Sequence, residues 1–161
     1  MNRDQAEARG VQAYYPKDMA WCYGCGRLNE AGHHFQTNWE GEETVTTYTP
    51  CSEHMAIPGF VYGGLIASLL DCHSTGSASL ALYRDQGHEL GSDAPLPRCV
   101  TASLKVDYLK PTPLGVKLIA RGKIRDMNNK KVVVESELYA EGILCARGEV
   151  VAVSMPENFG K

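Results

Sequence analysis

Asp71 stands between Leu69-Leu70 and Cys72, inside the most apolar helical stretch of the chain. Burying an unpaired carboxylate is unfavourable by an amount of order several kcal/mol, so an acid at such a position needs either a partner or a task. The ordinary partner would come from its neighbours His73, Ser74 or Thr75. The task would be that of a general base or a nucleophile. Eight residues earlier, Tyr62-Gly63-Gly64 opens the same stretch. The first amides of a helix have no intrahelical acceptor and lie at the positive end of its dipole, and glycine lets a carbonyl oxygen approach them closely. That is the requirement for an oxyanion hole, although a Gly-Gly pair also serves tight helix packing. Eight helical residues span about 12 Å, too far for Gly63 and Asp71 of one chain to act on the same carbonyl. A site using both must take one of them from a second copy. Two antiparallel helices would then create two equivalent sites.

Cys22 and Cys25 form the other arrangement with chemical potential, a CxxC pair within Cys-Tyr-Gly-Cys-Gly. The nearest additional ligands along the chain are His33 and His34, then Cys51 and His54. No second CxxC follows at finger-like spacing, so the segment reads as a glycine-rich turn, with no metal site and no cofactor expected. A metal-dependent or redox role centred on this pair is a competing reading.

These groups must be positioned by a small number of elements. After Pro58 and Gly59, the residues Leu65, Ile66, Leu69, Leu70, Cys72, Ser77, Leu80 and Leu82, with small residues between them, predict a long helix that is apolar nearly all round. Ahead of it, His33 to Trp39 and Glu43 to Thr49 read as a strand pair around Gly41, and Asp85 to Pro97 reads as a surface loop. Four further strands are expected over Arg98–Tyr108, Val116–Asp126, Lys131–Ala140 and Ile143–Val153. Turns at Pro111–Gly115, Asn128-Asn129 and Glu141-Gly142 separate them, as in an antiparallel meander. The whole is an α+β layout with a curved antiparallel sheet of five to six strands wrapped around a central helix. Residues 1–32 form an N-terminal arm and 33–155 the core of one domain spanning 1–161.

The bulk properties bound the function. A chain of 161 residues, 43% hydrophobic and 22% charged, suits one globular domain. Its formal net charge of −3 offers no broad basic surface for nucleic acid or an anionic membrane. The first fifteen residues lack the apolar core of a signal peptide, no apolar run is long enough to cross a bilayer, and six scattered cysteines are expected to remain reduced. The expectation is a cytoplasmic protein without nucleic-acid or membrane partners.

Three segments together resemble the phenylacetyl-CoA thioesterase-like branch of the hot-dog superfamily and its human mitochondrial relatives. They are Cys-Tyr-Gly-Cys-Gly-Arg-Leu-Asn from Cys22, Pro-Gly-Phe-Val-Tyr-Gly-Gly-Leu-Ile-Ala-Ser-Leu-Leu-Asp from Pro58, and Thr-Ala-Ser-Leu-Lys-Val-Asp-Tyr-Leu-Lys-Pro-Thr-Pro from Thr101. The resemblance covers roughly Trp21 to Ser154. Its signature is His-Gly-Gly, an Asp at fixed spacing, and a strand from Thr or Ser to Tyr-x-x-Pro.

The resemblance implies a hot-dog fold and hydrolysis of an acyl-CoA thioester at a dimer interface, in a homodimer or a dimer of dimers. It implies that the Gly63 amide polarises the thioester carbonyl, Asp71 acts as general base or nucleophile, and Thr101 orients the water. Burial should raise the Asp71 carboxyl toward the working range of a base. Tyr62 departs from the signature His and can donate a hydrogen bond without carrying a proton near neutral pH. Some relatives place Asn six residues earlier, where this chain has Ala56.

Substrate contacts are expected at Tyr62, Gly64, His54 and Phe60, with His73 a second histidine near the site. Lys130 and Lys131, with Arg125 and Lys110, are the candidate cations for CoA phosphates. Leu65, Leu69 and Tyr83 join Phe60 as candidate linings of an acyl slot. The same fold could also bind an acyl-CoA or pantetheine ligand without hydrolysis, or serve as a hydratase.

Overall fold

The computed structural model describes residues 9–161. The predicted helix is α1, Gly63–Asp85, and sixteen of its 23 residues are buried. An element this apolar on every side must be enclosed, and a six-stranded antiparallel sheet encloses it. The strands are β1 Thr37–Glu40, β2 Glu43–Tyr48, β3 Cys99–Tyr108, β4 Leu118–Met127, β5 Lys131–Ala140 and β6 Ile143–Ser154. One long helix packed in the curve of such a sheet is the expected hot-dog arrangement. No described helix is long and apolar enough to cross a membrane.

Local turn chemistry sets the hairpins. Ala140 pairs with Ile143 across a two-residue loop in which Glu141 (φ 52°) and Gly142 (φ 77°) both adopt the left-handed conformation. This matches the twist of the flanking strands. Between β4 and β5, Asn128 Oδ1 accepts the amides of Lys130 and Lys131 at 2.9 Å each.

Two expectations require correction. The strands do not form a simple meander, because the sheet order is β1-β2-β4-β5-β6-β3. Only β4, β5 and β6 meander; the Pro111–Gly115 segment is a crossover, and β3 pairs with β6 as an edge strand. The hairpin strand expected from His33 begins at Thr37, since His34 adopts a left-handed backbone (φ 58°) that breaks the extended run.

The arm contributes to the core instead of merely leading into it. Residues 1–8 of the expected arm lie outside the described residues. Beyond them, two 3₁₀ turns, Val11–Tyr14 and Lys17–Met19, place Val11, Gln12, Tyr15 and Ala20 in the interior. Val11 and Tyr15 pack with Leu80 of α1. Gly76 makes the approach possible, because a Cβ there would lie 2.5 Å from Gln12 Nε2 and 2.9 Å from Thr37 Oγ1. The remaining core has two parts. Leu65, Ile66, Leu69 and Leu70 pack with Leu118 and Leu138, while Ala78 and Leu82 pack with Val132, Val134 and Val150.

Candidate active site

Asp71, in the first half of α1, faces the edge strand β3, and its carboxylate is half-buried instead of sealed. Its partner is none of His73, Ser74 or Thr75. Thr101, exposed near the start of β3, donates its hydroxyl to Asp71 Oδ1. Burial raises the Asp71 carboxyl above the ordinary aspartate value, the Thr101 hydrogen bond opposes that shift, and the nearby Cys22 sulfur adds to it. The direction is the one that strengthens a carboxylate as a proton acceptor.

Gly63 is the first residue of α1 and Tyr62 its N-cap, with no side chain capping the free amides. Tyr108, at the far end of β3, donates its hydroxyl to the Gly63 carbonyl at 2.8 Å. A Cβ on Gly63 would come 3.2 Å from that hydroxyl, and one on Gly64 would come 2.5 Å from the Tyr62 ring. The Tyr62 ring thus leaves no room for a side chain at position 64, whereas at position 63 the exposed Tyr108 ring would have to give by a few tenths of an ångström. β3 therefore touches α1 at both ends, Thr101 on Asp71 and Tyr108 on Gly63. Tyr108 was visible in the sequence only as part of the Tyr-x-x-Pro signature, with no indication of its contact.

His54 ends a short 3₁₀ turn, Ser52–His54, and accepts the Cys51 amide on Nδ1 at 2.9 Å. Its ring lies 6.4 Å from Tyr62 and 5.0 Å from His33. A histidine is therefore present beside the helix start although position 62 carries Tyr. Phe60, 40% exposed, precedes Tyr62 on the same surface.

Several predicted contacts fall elsewhere. His73 is fully buried on the opposite face of α1, with Nδ1 2.8 Å from Thr46 Oγ1, and burial pushes its pKa down to about 3. Leu65 and Leu69 are sealed in the core. Tyr83 lies about 18 Å along the helix from Asp71. It donates to the Ala94 carbonyl at 2.7 Å and lines a separate cavity of 380 Å³ with Trp39 and Leu90. Arg125 is engaged by Glu135 and Glu149. Lys130 and Lys131 are exposed and form no ion pair among the described residues. Val153 pairs with both Lys131 and Val100, which places the lysines at the Thr101 end of the sheet. Two strand spacings, about 10 Å, separate them from β3.

The CxxC pair is not joined by His33, His34, Cys51 or His54. Cys72 of α1 completes a group in which the three sulfurs lie within 4.8 Å of one another. The sequence offered no signal for this, because Cys72 is 47 residues beyond Cys25 and has no ligand-like spacing.

Known proteins share the sequence pattern and the fold. A family model described as the thioesterase superfamily matches residues 58–146. An acyl-coenzyme A thioesterase, THEM4 of Xenopus laevis, is 33% identical over 81 residues. That match covers 50% of this chain and 30% of the relative, so the chain spans under a third of its length. A thioesterase superfamily protein from Shewanella loihica PV-4 is 46% identical with a TM-score of 0.66, over 89% of this chain and 97% of that one. The fold is shared more widely. A Streptococcus mutans protein solved with acetyl CoA is 20% identical with a TM-score of 0.61, covering 80% of this chain and 95% of that one. The Escherichia coli PaaI protein of the phenylacetic acid degradation operon is 17% identical, also at 0.61, over 77% and 81%.

Proposed function

The chain belongs to the thioesterase superfamily, and on that premise we propose that it hydrolyses an acyl-CoA thioester to a free acid and CoA at a site shared by two copies of the chain. The observation that carries this reading is Asp71: a half-buried carboxylate with a raised pKa, held by Thr101 at an otherwise unpaired sheet edge. Thr101 donates to Oδ1, which leaves Oδ2 to accept a proton from water. The water oxygen attacks the thioester carbonyl carbon while Asp71 takes its proton, and the Gly63 amide of the other copy receives the negative charge on the carbonyl oxygen. Collapse of the tetrahedral intermediate breaks the C–S bond, and CoA leaves with the proton held by Asp71. Attack by Asp71 itself, through an acyl-enzyme anhydride, uses the same groups.

Dimerisation supplies what one chain lacks. Gly63 and Asp71 of one chain remain about 12 Å apart along α1. β3 presents a ten-residue edge with open backbone groups, and Leu104, Tyr108 and Leu109 are exposed along or just beyond it. Pairing of β3 with its copy would cover this edge and bring each Gly63 toward the other chain's Asp71. Tyr62, Gly64, His54 and Phe60 would border the acyl group, and Lys130 and Lys131 would meet CoA phosphates. The six free cysteines suit a reducing cytoplasm.

The test is release of free CoA thiol from a panel of aromatic, short, medium and long acyl-CoAs. The native protein should turn over at least one, and Asp71→Asn should lose at least about a hundredfold in kcat with its fold and oligomeric state intact. Binding of acyl-CoA without turnover of any would instead identify a binding module.

A further inference from the structure

The Cys22, Cys25 and Cys72 group lies outside the machinery assigned above, yet it has the construction of a ligand set. The sulfurs of Cys22 and Cys72 are 3.9 Å apart. Two sulfurs bound to one tetrahedral zinc ion at about 2.3 Å each lie about 3.8 Å apart, whereas a disulfide requires about 2.05 Å. The separation is one that a single ion between the two sulfurs would accommodate without movement of the chain, and it is too long for a disulfide.

The loop carrying the first two sulfurs is shaped to present them. Gly26 donates its amide to the Cys22 carbonyl at 2.7 Å and closes the turn. Gly24 makes room for the third sulfur, since a Cβ there would stand 2.3 Å from Cys72 Sγ. Cys25 and Cys72 are buried, while Cys22 is half-buried and leaves one side of the group toward solvent. A two-cysteine redox pair has no need of a third sulfur from the helix.

We propose that Cys22, Cys25 and Cys72 bind a thiophilic divalent cation of the zinc class, with solvent supplying the fourth ligand, and that the ion ties the N-terminal arm to α1 beside Asp71. Thiolate ligands select such ions over the hard cations. Binding releases the remaining thiol protons to solvent. Cys72 directly follows Asp71, so the ion would hold the helix segment from which the carboxylate projects.

The full-length protein, reduced and freed of metal, should be titrated with Co²⁺ and followed for the sulfur-to-cobalt charge-transfer band of a tetrahedral thiolate site. We expect saturation at about one equivalent per chain, displacement of the cobalt by Zn²⁺, and zinc in the protein as isolated. Cys22→Ser and Cys72→Ser should each abolish the band, whereas Cys51→Ser, at an exposed position, should retain it. If Cys72→Ser fails to fold, the half-buried Cys22→Ser decides. A folded, reduced native protein that shows no charge-transfer band overturns the proposal, and so does a band that survives Cys22→Ser. A Cys22–Cys25 disulfide in the isolated protein, with no cobalt uptake after reduction, would assign the pair to redox chemistry instead. None of these readouts depends on thioester hydrolysis.

Discussion

Thr101 and Asp71 are joined by a hydrogen bond from the threonine hydroxyl to carboxylate Oδ1, linking an edge strand to the middle of the central helix across 30 residues of sequence. This contact holds the carboxylate in one orientation at the margin of the core, where solvent still reaches it. It also limits how far burial can raise the Asp71 pKa.

Removing the Thr101 hydroxyl should therefore affect the reaction more than the fold. For Thr101→Ala we expect kcat to fall about tenfold, the equivalent of one hydrogen bond near 1.4 kcal/mol, with KM little changed. Thr101→Ser should recover most of the rate. Steady-state kinetics on the preferred acyl-CoA would show this, and equal activity of Thr101→Ala and native protein would mean that the Thr101 hydroxyl does not position the reacting carboxylate.

The division of the site between two copies makes a sharper prediction. Gly63 is the first helical residue and Tyr62 before it is extended (φ −71°, ψ 146°), a backbone that accepts proline next. Gly63→Pro should thus delete the amide donor while the helix still forms, with only the exposed Tyr108 ring required to adjust. Alone, Gly63→Pro and Asp71→Asn should each be nearly inactive. Refolded as an equimolar mixture, half of the dimers are mixed and each has one intact site of two, so activity should return to about a quarter of native. A mixture no more active than its components would place both groups in one chain.

His73 supplies a pH dependence of stability. Its folded pKa, about 3, lies below the ordinary 6.5 because burial excludes the charged ring. As pH falls below 6.5, the unfolded chain takes up a proton that the folded chain refuses, so stability drops by up to about 1.4 kcal/mol per pH unit until the folded value is reached. Above 6.5 this contribution is constant. Urea unfolding at pH 7, 6 and 5 should show a flatter decline for His73→Gln than for the native protein. Parallel declines would mean that His73 does not remain neutral in the fold.

The arm should prove part of the folding unit. Gln12 is fully buried; its Oε1 accepts the Thr37 amide at 2.8 Å and its Nε2 donates to Thr37 Oγ1 at 2.9 Å. Gln12→Leu strands the Thr37 amide and should cost about 1–3 kcal/mol, seen as a lower urea midpoint. An unchanged midpoint would show the arm to be dispensable for stability.

Much of this architecture is local information. The span of α1 follows from a run of apolar and small residues too long for a strand, between Pro58-Gly59 and the polar stretch from Asp85, and β5 occupies Lys131–Ala140 as expected, because a valine-rich run lies between Asn128 and the Glu141-Gly142 turn. Such signals concern residues a few positions apart, whose side-chain period or φ preference acts before any distant contact forms. Asp71 was conspicuous for a similar reason, a charge out of place in an apolar run. Gly63 was legible as the start of that run, and the helical rise alone separated the two groups.

Tertiary structure decided the relationships that no period encodes. β3 lies beside β6 and not β4, because strand order is set by how the whole sheet closes over α1, and the proline-rich crossover permits either neighbour. The Thr101 partnership with Asp71 depends on that placement; at sequence level Thr101 was named only through family resemblance. His73, two residues beyond Asp71 along the chain, points to the opposite side because each helical residue turns by about 100° and two steps give about 200°, and packing chose which side faced the sheet. Cys72 meets Cys22 and Cys25 for the same reason: the arm and the helix are brought together by burial of Phe35, Leu69 and their neighbours, a long-range balance that ligand spacing along the chain does not reveal.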